Sequence, residues 1–167
     1  GLAIVGIPMQ GYWCDIGNSK SYISCCLDAL DGKLKINPAQ TNYLSSRIYA
    51  PSNLPDSVRL IPPCVICEGA TIERDAVIGR SVVHSSSRVG AYSRVVNSVI
   101  DGANIGEACI ISGTVVCRGA VLYPDTVTVT GDVISSCSSD AYAAQDIKHS
   151  ARRRAVGLCR EISCENR

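Results

Sequence analysis

Between residues 60 and 82 the chain reads Leu60-Ile61-Pro62-Pro63-Cys64-Val65-Ile66-Cys67-Glu68-Gly69-Ala70-Thr71-Ile72-Glu73-Arg74-Asp75-Ala76-Val77-Ile78-Gly79-Arg80-Ser81-Val82. A branched aliphatic residue stands at every sixth place: Leu60, Ile66, Ile72 and Ile78. The period falters at His84, resumes at Val89, and continues through Val95, Ile100, Ile105, Ile111, Cys117, Tyr123 and Val129 at steps of five or six. Four positions after most of these stands a small or β-branched residue, among them Cys64, Ala70, Ala76, Val82, Ser93, Val99, Cys109 and Val115. Gly or an acidic residue often follows the aliphatic one directly, as at Glu73, Gly79, Gly90, Asp101 and Gly106. A six-residue repeat of this form predicts a parallel β-helix, in which short strands alternate with tight corners and one aliphatic side chain per repeat stacks inward from coil to coil. With three repeats to a triangular coil, Leu60 to Ile134 makes about four coils. So narrow an interior suits a chain with no Phe and one Trp.

Composition narrows the function. The 167 residues carry 16 Lys plus Arg against 15 Asp plus Glu, a balance unlike the cationic excess that displaces counterions from nucleic acid. Hydrophobic residues make up 46% and charged residues 19%, a globular mixture. No stretch approaches the roughly 20 apolar residues that cross a bilayer, and no leader pattern opens the chain. The reading is a cytoplasmic protein, bound neither to nucleic acid nor to membrane. Position 1 is Gly and the only Met is Met9, so the chain reads as a piece of a longer one. Ten cysteines raise disulfides or metal, but Cys64 and Cys67 form the one CxxC without a second zinc-spaced pair. They are read as thiols at small-residue positions in a reducing compartment.

The first fifty residues follow another rule. Leu2 to Ile7 is an apolar run that predicts a strand, and turn-rich sequence follows from Gly11 to Gly17. Asn18 is placed to cap a helix. Tyr22, Ile23, Cys26, Leu27 and Leu30 recur at helical spacing, and Gly32 is placed to end it. Residues 1–37 are therefore set apart from a Pro-rich lead-in at 38–59, the β-helix at 60–134, and a polar spacer and tail at 135–167 that carries Arg152-Arg153-Arg154.

One short stretch carries chemistry. Gly11-Tyr12-Trp13-Cys14-Asp15-Ile16-Gly17-Asn18, followed by Ser21-Tyr22 and Leu30-Asp31-Gly32-Lys33, resembles the end of the catalytic domain of sugar-1-phosphate nucleotidyltransferases. Many members of that family continue into a left-handed β-helix, in the order seen here. The wording looks most like the mannose-1-phosphate guanylyltransferase branch, with glucose-1-phosphate adenylyltransferase as the alternative. The resemblance implies a parent enzyme that joins a nucleoside triphosphate and a sugar 1-phosphate into a nucleotide sugar, most like GDP-mannose, with release of pyrophosphate. It implies that Asp15 holds the catalytic magnesium and that Gly17 admits close approach of the ligand. An isolated Asp in a turn is otherwise a common turn former. The family's Gly-rich nucleotide loop and second metal-binding Asp have no counterpart among these residues, so the fragment alone is expected to be inactive.

Two other classes remain open. Left-handed β-helices also build acyltransferases with a His base, and His84 sits where the repeat falters; imidazole is suited to deprotonating an acceptor near neutral pH. Against it, His84 precedes the turn-like Ser85-Ser86-Ser87. The third class is a non-catalytic assembly module. In the resembling family the β-helix makes oligomer contacts, which implies a homo-oligomer here, with the helix at 19–30 and the tail capping the open coil ends. Arg74, Arg80, Arg88 and Arg94 are candidates for an anionic effector or simply solvated.

Overall fold

The computed structural model describes residues 3–34 and 46–136. Three parallel sheets form the walls of a left-handed β-helix of hexapeptide repeats. The first holds β1 (Ile48–Tyr49), β3 (Cys64–Ile66), β6 (Val82–Val83), β9 (Val99–Ile100), β12 (Val115–Val116) and β14 (Val133–Ile134), side by side in that order. The second stacks β2 (Arg59–Ile61), β5 (Val77–Gly79), β8 (Arg94–Val96) and β11 (Ile110–Ser112). The third stacks β4 (Thr71–Ile72), β7 (Arg88–Val89), β10 (Asn104–Ile105) and β13 (Val121–Leu122). Each strand pairs with its counterpart one coil on, sixteen to eighteen residues later: Ile110 lies beside Arg94, Asn104 beside Val121, and Leu60 beside Ile78. The first coil opens at Ile48, which pairs with Cys64, inside the stretch read from sequence as lead-in.

Corners turn on residues with positive φ. One column of corners uses Arg80, Asn97 and Gly113, and another uses Asp75, Tyr92, Ala108 and Asp125. At Gly90 and Gly106 the coils themselves leave no room for a side chain. A Cβ on Gly90 would lie 2.5 Å from the Gly106 carbonyl carbon, and one on Gly106 would lie 2.6 Å from Pro124 N.

The interior ladder is Ile66, Ile72, Ile78, Val83, Val89, Val95, Ile100, Ile105, Ile111, Val116, Leu122 and Ile134, all nearly fully buried. Through Ile111 it matches the predicted series, with Val83 filling the place where His84 broke it. Beyond Ile111 the prediction is one residue late. A five-residue step brings Val116 inward, so Cys117 is half-buried and Tyr123 and Val129 are exposed at 57% and 55%. Thr128 takes the inward place that Val129 was given.

Buried hydroxyls close the small-residue positions. Ser98 Oγ donates to the Val96 carbonyl at 2.8 Å and accepts the Thr114 amide at 3.2 Å. Ser81 does the same between the Gly79 carbonyl and the Ser98 amide. A hydroxyl here satisfies backbone groups that the corner leaves without a strand partner.

Helix α1 (Ser19–Leu30) forms as read: Asn18 Oδ1 accepts the Ser21 amide at 2.9 Å. At the other end Gly32, at φ 78°, donates to the Ala29 carbonyl while Lys33 N donates to Asp28, the paired bonds of a Schellman stop. The helix does not cap a coil end. Its apolar face, Ile23, Leu27 and Leu30, packs on Val115, Val65 and Val82, which point outward from the first sheet. Ser19 Oγ donates to the Gly131 carbonyl, and Arg47 donates to the Leu30 carbonyl. The helix therefore runs along the side of the solenoid from its last coil to its first. The strand predicted at Leu2 to Ile7 does not form over the described part, residues 3–7. Ile4, Val5 and Ile7 are 81–98% exposed, with no strand beside them among the described residues to supply ladder hydrogen bonds.

Candidate functional site

The segment Gly11 to Asn18 reaches helix α1 as an exposed turn held at both ends. At its start the Tyr12 hydroxyl donates to Asp28 Oδ2 at 2.8 Å, and Lys33 Nζ lies 2.6 Å from Asp28 Oδ1. The Lys33 ammonium, aided by the Tyr12 hydroxyl, holds the Asp28 carboxyl below its usual value. Reciprocally, the bond to Asp28 pushes the Tyr12 phenol far above its ordinary value. At its end Asn18 both caps the helix and accepts the Ser21 hydroxyl at 3.2 Å.

Between these anchors Asp15 is exposed, and its carboxylate makes no hydrogen bond or ion pair with the described residues. Gly17 has space beside it. A Cβ there would meet the Asp15 carboxylate oxygens at 3.7 Å, an ordinary contact. A free, hard-oxygen carboxylate is the donor type that magnesium takes, one or two at a time, with water and phosphate completing its shell. The described residues contain no group of three or more His, Cys, Asp or Glu placed to hold a metal by themselves, so an ion at Asp15 would draw the rest of its shell from phosphate and water. Trp13, 75% exposed, flanks Asp15.

The other candidates lie apart. His84 follows β6, is half-buried, and uses its backbone amide to bond the Ile100 carbonyl at 2.8 Å. The regular coil spacing from β2 to β14 leaves no long loop over it. The four arginines are dispersed over different walls and corners. Arg74 lies over the Tyr92 ring at 5.4 Å, Arg80 is paired with Asp31, Arg88 is bound to Glu73 and Asn104, and Arg94 projects from the second sheet. They do not converge on one anion site. Residues 137–167, with Arg152-Arg153-Arg154, lie outside the described residues.

Sequence reading missed the docking of α1 on the first sheet, although a signal was present. Val65, Val82, Val99 and Val115 each precede an inward residue of that sheet and form an unbroken column, whereas the same column is interrupted by Arg59 and Arg94 in the second sheet and by Thr71, Arg88 and Asn104 in the third. An outward column of valines is a buried face.

No protein-family model matches the chain. Among curated proteins it is 30% identical over 139 residues to the glucose-1-phosphate adenylyltransferase of Bacillus cytotoxicus, which covers 81% of this chain and 35% of that protein. To the glucose-1-phosphate adenylyltransferase of Bacillus mycoides it is 29% identical over 133 residues, 76% of this chain and 34% of that one. The chain spans about a third of the length of these curated relatives. Among solved structures it is similar to a point mutant of perosamine N-acetyltransferase from Caulobacter crescentus in complex with CoA and GDP-perosamine. That likeness has a TM-score of 0.33 at 16% identity, covers 55% of this chain and 49% of that one, and is too slight to carry an argument. The named relatives are sugar-1-phosphate nucleotidyltransferases, as the Trp13-to-Gly17 resemblance implied, and they carry the adenylyl name that the sequence reading held as its alternative.

Proposed function

We propose that the chain is the β-helix portion, with the last catalytic elements, of a sugar-1-phosphate nucleotidyltransferase of the glucose-1-phosphate adenylyltransferase kind. Its substrates are then ATP and glucose 1-phosphate, and its products a nucleotide sugar and pyrophosphate. The observation that supports this is the succession of the Trp13-Cys14-Asp15-Ile16-Gly17 turn, a capped helix and a hexapeptide β-helix in one chain, similar over most of its length to adenylyltransferases. The guanylyl reading, with GDP-mannose as product, has only the wording of the turn behind it. The acyltransferase reading rests on His84, which no long loop among the described residues encloses.

In the assembled enzyme Asp15 would hold magnesium. When bound, the ion supplies charge neutralisation on the phosphates as the sugar phosphate attacks the nucleotide's α-phosphorus. The chain's own contribution is placement. The Tyr12–Asp28 bond and the Asn18 cap fix the two ends of the turn, so the carboxylate is presented without a competing protein partner. The β-helix then serves assembly into a homo-oligomer, in the cytoplasm.

The test is pyrophosphate release by a full-length protein containing this chain. Release with ATP and glucose 1-phosphate should exceed release with GTP and mannose 1-phosphate, and Asp15→Asn should lower turnover by about a hundredfold or more. Near-normal turnover in Asp15→Asn removes that residue from the mechanism, and preference for GTP with mannose 1-phosphate restores the guanylyl reading.

A further inference from the structure

We propose that residues 137–167 fold back over the open end of the last coil and seal it. That coil runs through β13 on the third wall, Val127 on the second and β14 on the first, and β13 and β14 are the outermost strands of their sheets. At the opposite end of the solenoid the first coil leaves Ile48, Leu54, Val58 and Leu60 only half-buried. At the last coil, by contrast, Leu122 is 2% exposed and Ile134 has no exposed surface, with no strand beyond them among the described residues. The end of a repeat array needs a cap between its core and water, and the chain leaves this end through Ser135 and Ser136.

The rim of the same end is apolar. Val121, Tyr123, Val129 and Val133 all belong to the last coil and are 40–57% exposed. The other exposed large apolar side chains on the described coils are Ile61 and Tyr92, and Arg74 lies over the Tyr92 ring. Val133 extends the outward valine column of the first sheet, yet it stays half-exposed where its neighbour Val115 is buried under α1. A contiguous apolar patch at an open edge marks a contact surface.

The chain's own tail suits that surface in pattern, charge and attachment. Ala144, Ile147, Ala151, Ala155, Leu158 and Ile162 recur at intervals of three and four, the pattern that gathers apolar side chains along one side of a helix. From Gly119 to Ser136 the only charged residues are Asp125 and Asp132, whereas residues 137–167 hold six Lys and Arg against four Asp and Glu, with Arg152-Arg153-Arg154 inside the apolar series. The acidic coil and the cationic segment are complementary. Attachment at Ser136 makes the contact intramolecular, an advantage in effective concentration that a second copy lacks. This inference does not depend on the proposed enzyme activity.

The test is amide hydrogen exchange of three forms: the full chain, the chain ending at Ser136, and the full chain with Leu158→Asp and Ile162→Asp. Removing the tail or charging its apolar side is expected to speed exchange across residues 121–134 by about tenfold or more, while Ile72 and Ile78 in the early coils keep their protection. That retained protection shows that a variant is folded, and the double variant carries the test if the shortened chain unfolds throughout. Unchanged exchange at 121–134 in either folded variant overturns the proposal. Protection at 121–134 that falls on dilution, together with dissociation of a dimer, also overturns it, because the cover is then a second copy.

Discussion

Arg80 donates to one oxygen of Asp31 at 2.6 Å across 49 positions of sequence, while Arg47 donates to the other at 3.1 Å. The carboxylate sits just past the end of α1, and the two arginines belong to the corners of the first coils, so this triad ties the helix to the solenoid. The Arg80 hydrogen bond is the main cause that lowers the Asp31 carboxyl below its usual value, with Arg47 adding to it.

Asp31→Asn is therefore expected to destabilise the fold by about 1 kcal/mol at pH 7, since all three side chains remain partly exposed. The sign with pH follows from the lowered value. The contribution is complete above the unfolded aspartate value of about 3.9 and is lost as pH falls through the lower folded value. Urea midpoints of wild type and variant should differ at pH 7 and converge as the pH falls through the lowered folded value of Asp31.

Gly106→Ala places a methyl 2.6 Å from Pro124 N and 2.8 Å from the Leu122 carbonyl oxygen, backbone atoms that cannot swing aside. A loss of about 1–3 kcal/mol is expected by urea denaturation. Gly17→Ala meets only ordinary contacts and should leave the midpoint unchanged. Equal effects of the two would contradict the close approach of adjacent coils.

The register beyond Ile111 can be read from a pair of neighbours. Leu122→Ala empties a position that is 2% exposed and should cost about 2–5 kcal/mol. Tyr123→Ala, at a position 57% exposed, should stay within about 0.5 kcal/mol. The reverse ranking in thermal melts would restore the later register.

Ser98→Ala removes the acceptor of the Thr114 amide and the donor to the Val96 carbonyl, both at a buried corner. An unsatisfied buried amide costs about 1–3 kcal/mol. Amide hydrogen exchange should show faster exchange at Thr114 in the variant, while Thr71, on another wall, keeps its protection.

The six-residue period was legible wherever a lone aliphatic residue marked the interior, as at Ile72, Val89 and Ile105. It became ambiguous where two apolar residues adjoin, as at Val115-Val116 and Val121-Leu122, because either can face inward and a five-residue step costs the coil nothing visible in the pattern. Helix α1 was legible end to end, since Asn18, Gly32 and its apolar spacing are local signals. Its place on the first sheet was not, because docking depends on which outward residues of distant coils line up, and only the successive pairing of Val65 with Val82, Val82 with Val99 and Val99 with Val115 brings that column together. Asp15 was marked by its motif, and the structure adds that nothing among the described residues competes for its oxygens.

Because α1 lies lengthwise against the wall, it acts as a ruler for the solenoid. Adjacent coils are about 4.8 Å apart and a helix advances about 1.5 Å per residue, so each coil beneath it is matched by roughly three helical residues. Inserting or deleting a whole coil between Val65 and Val115, which an unsplinted repeat array tolerates, would here pull Ser19 away from Gly131 or Asp31 away from Arg80. The number of coils is thus gauged by the helix, and lengthening one demands lengthening the other.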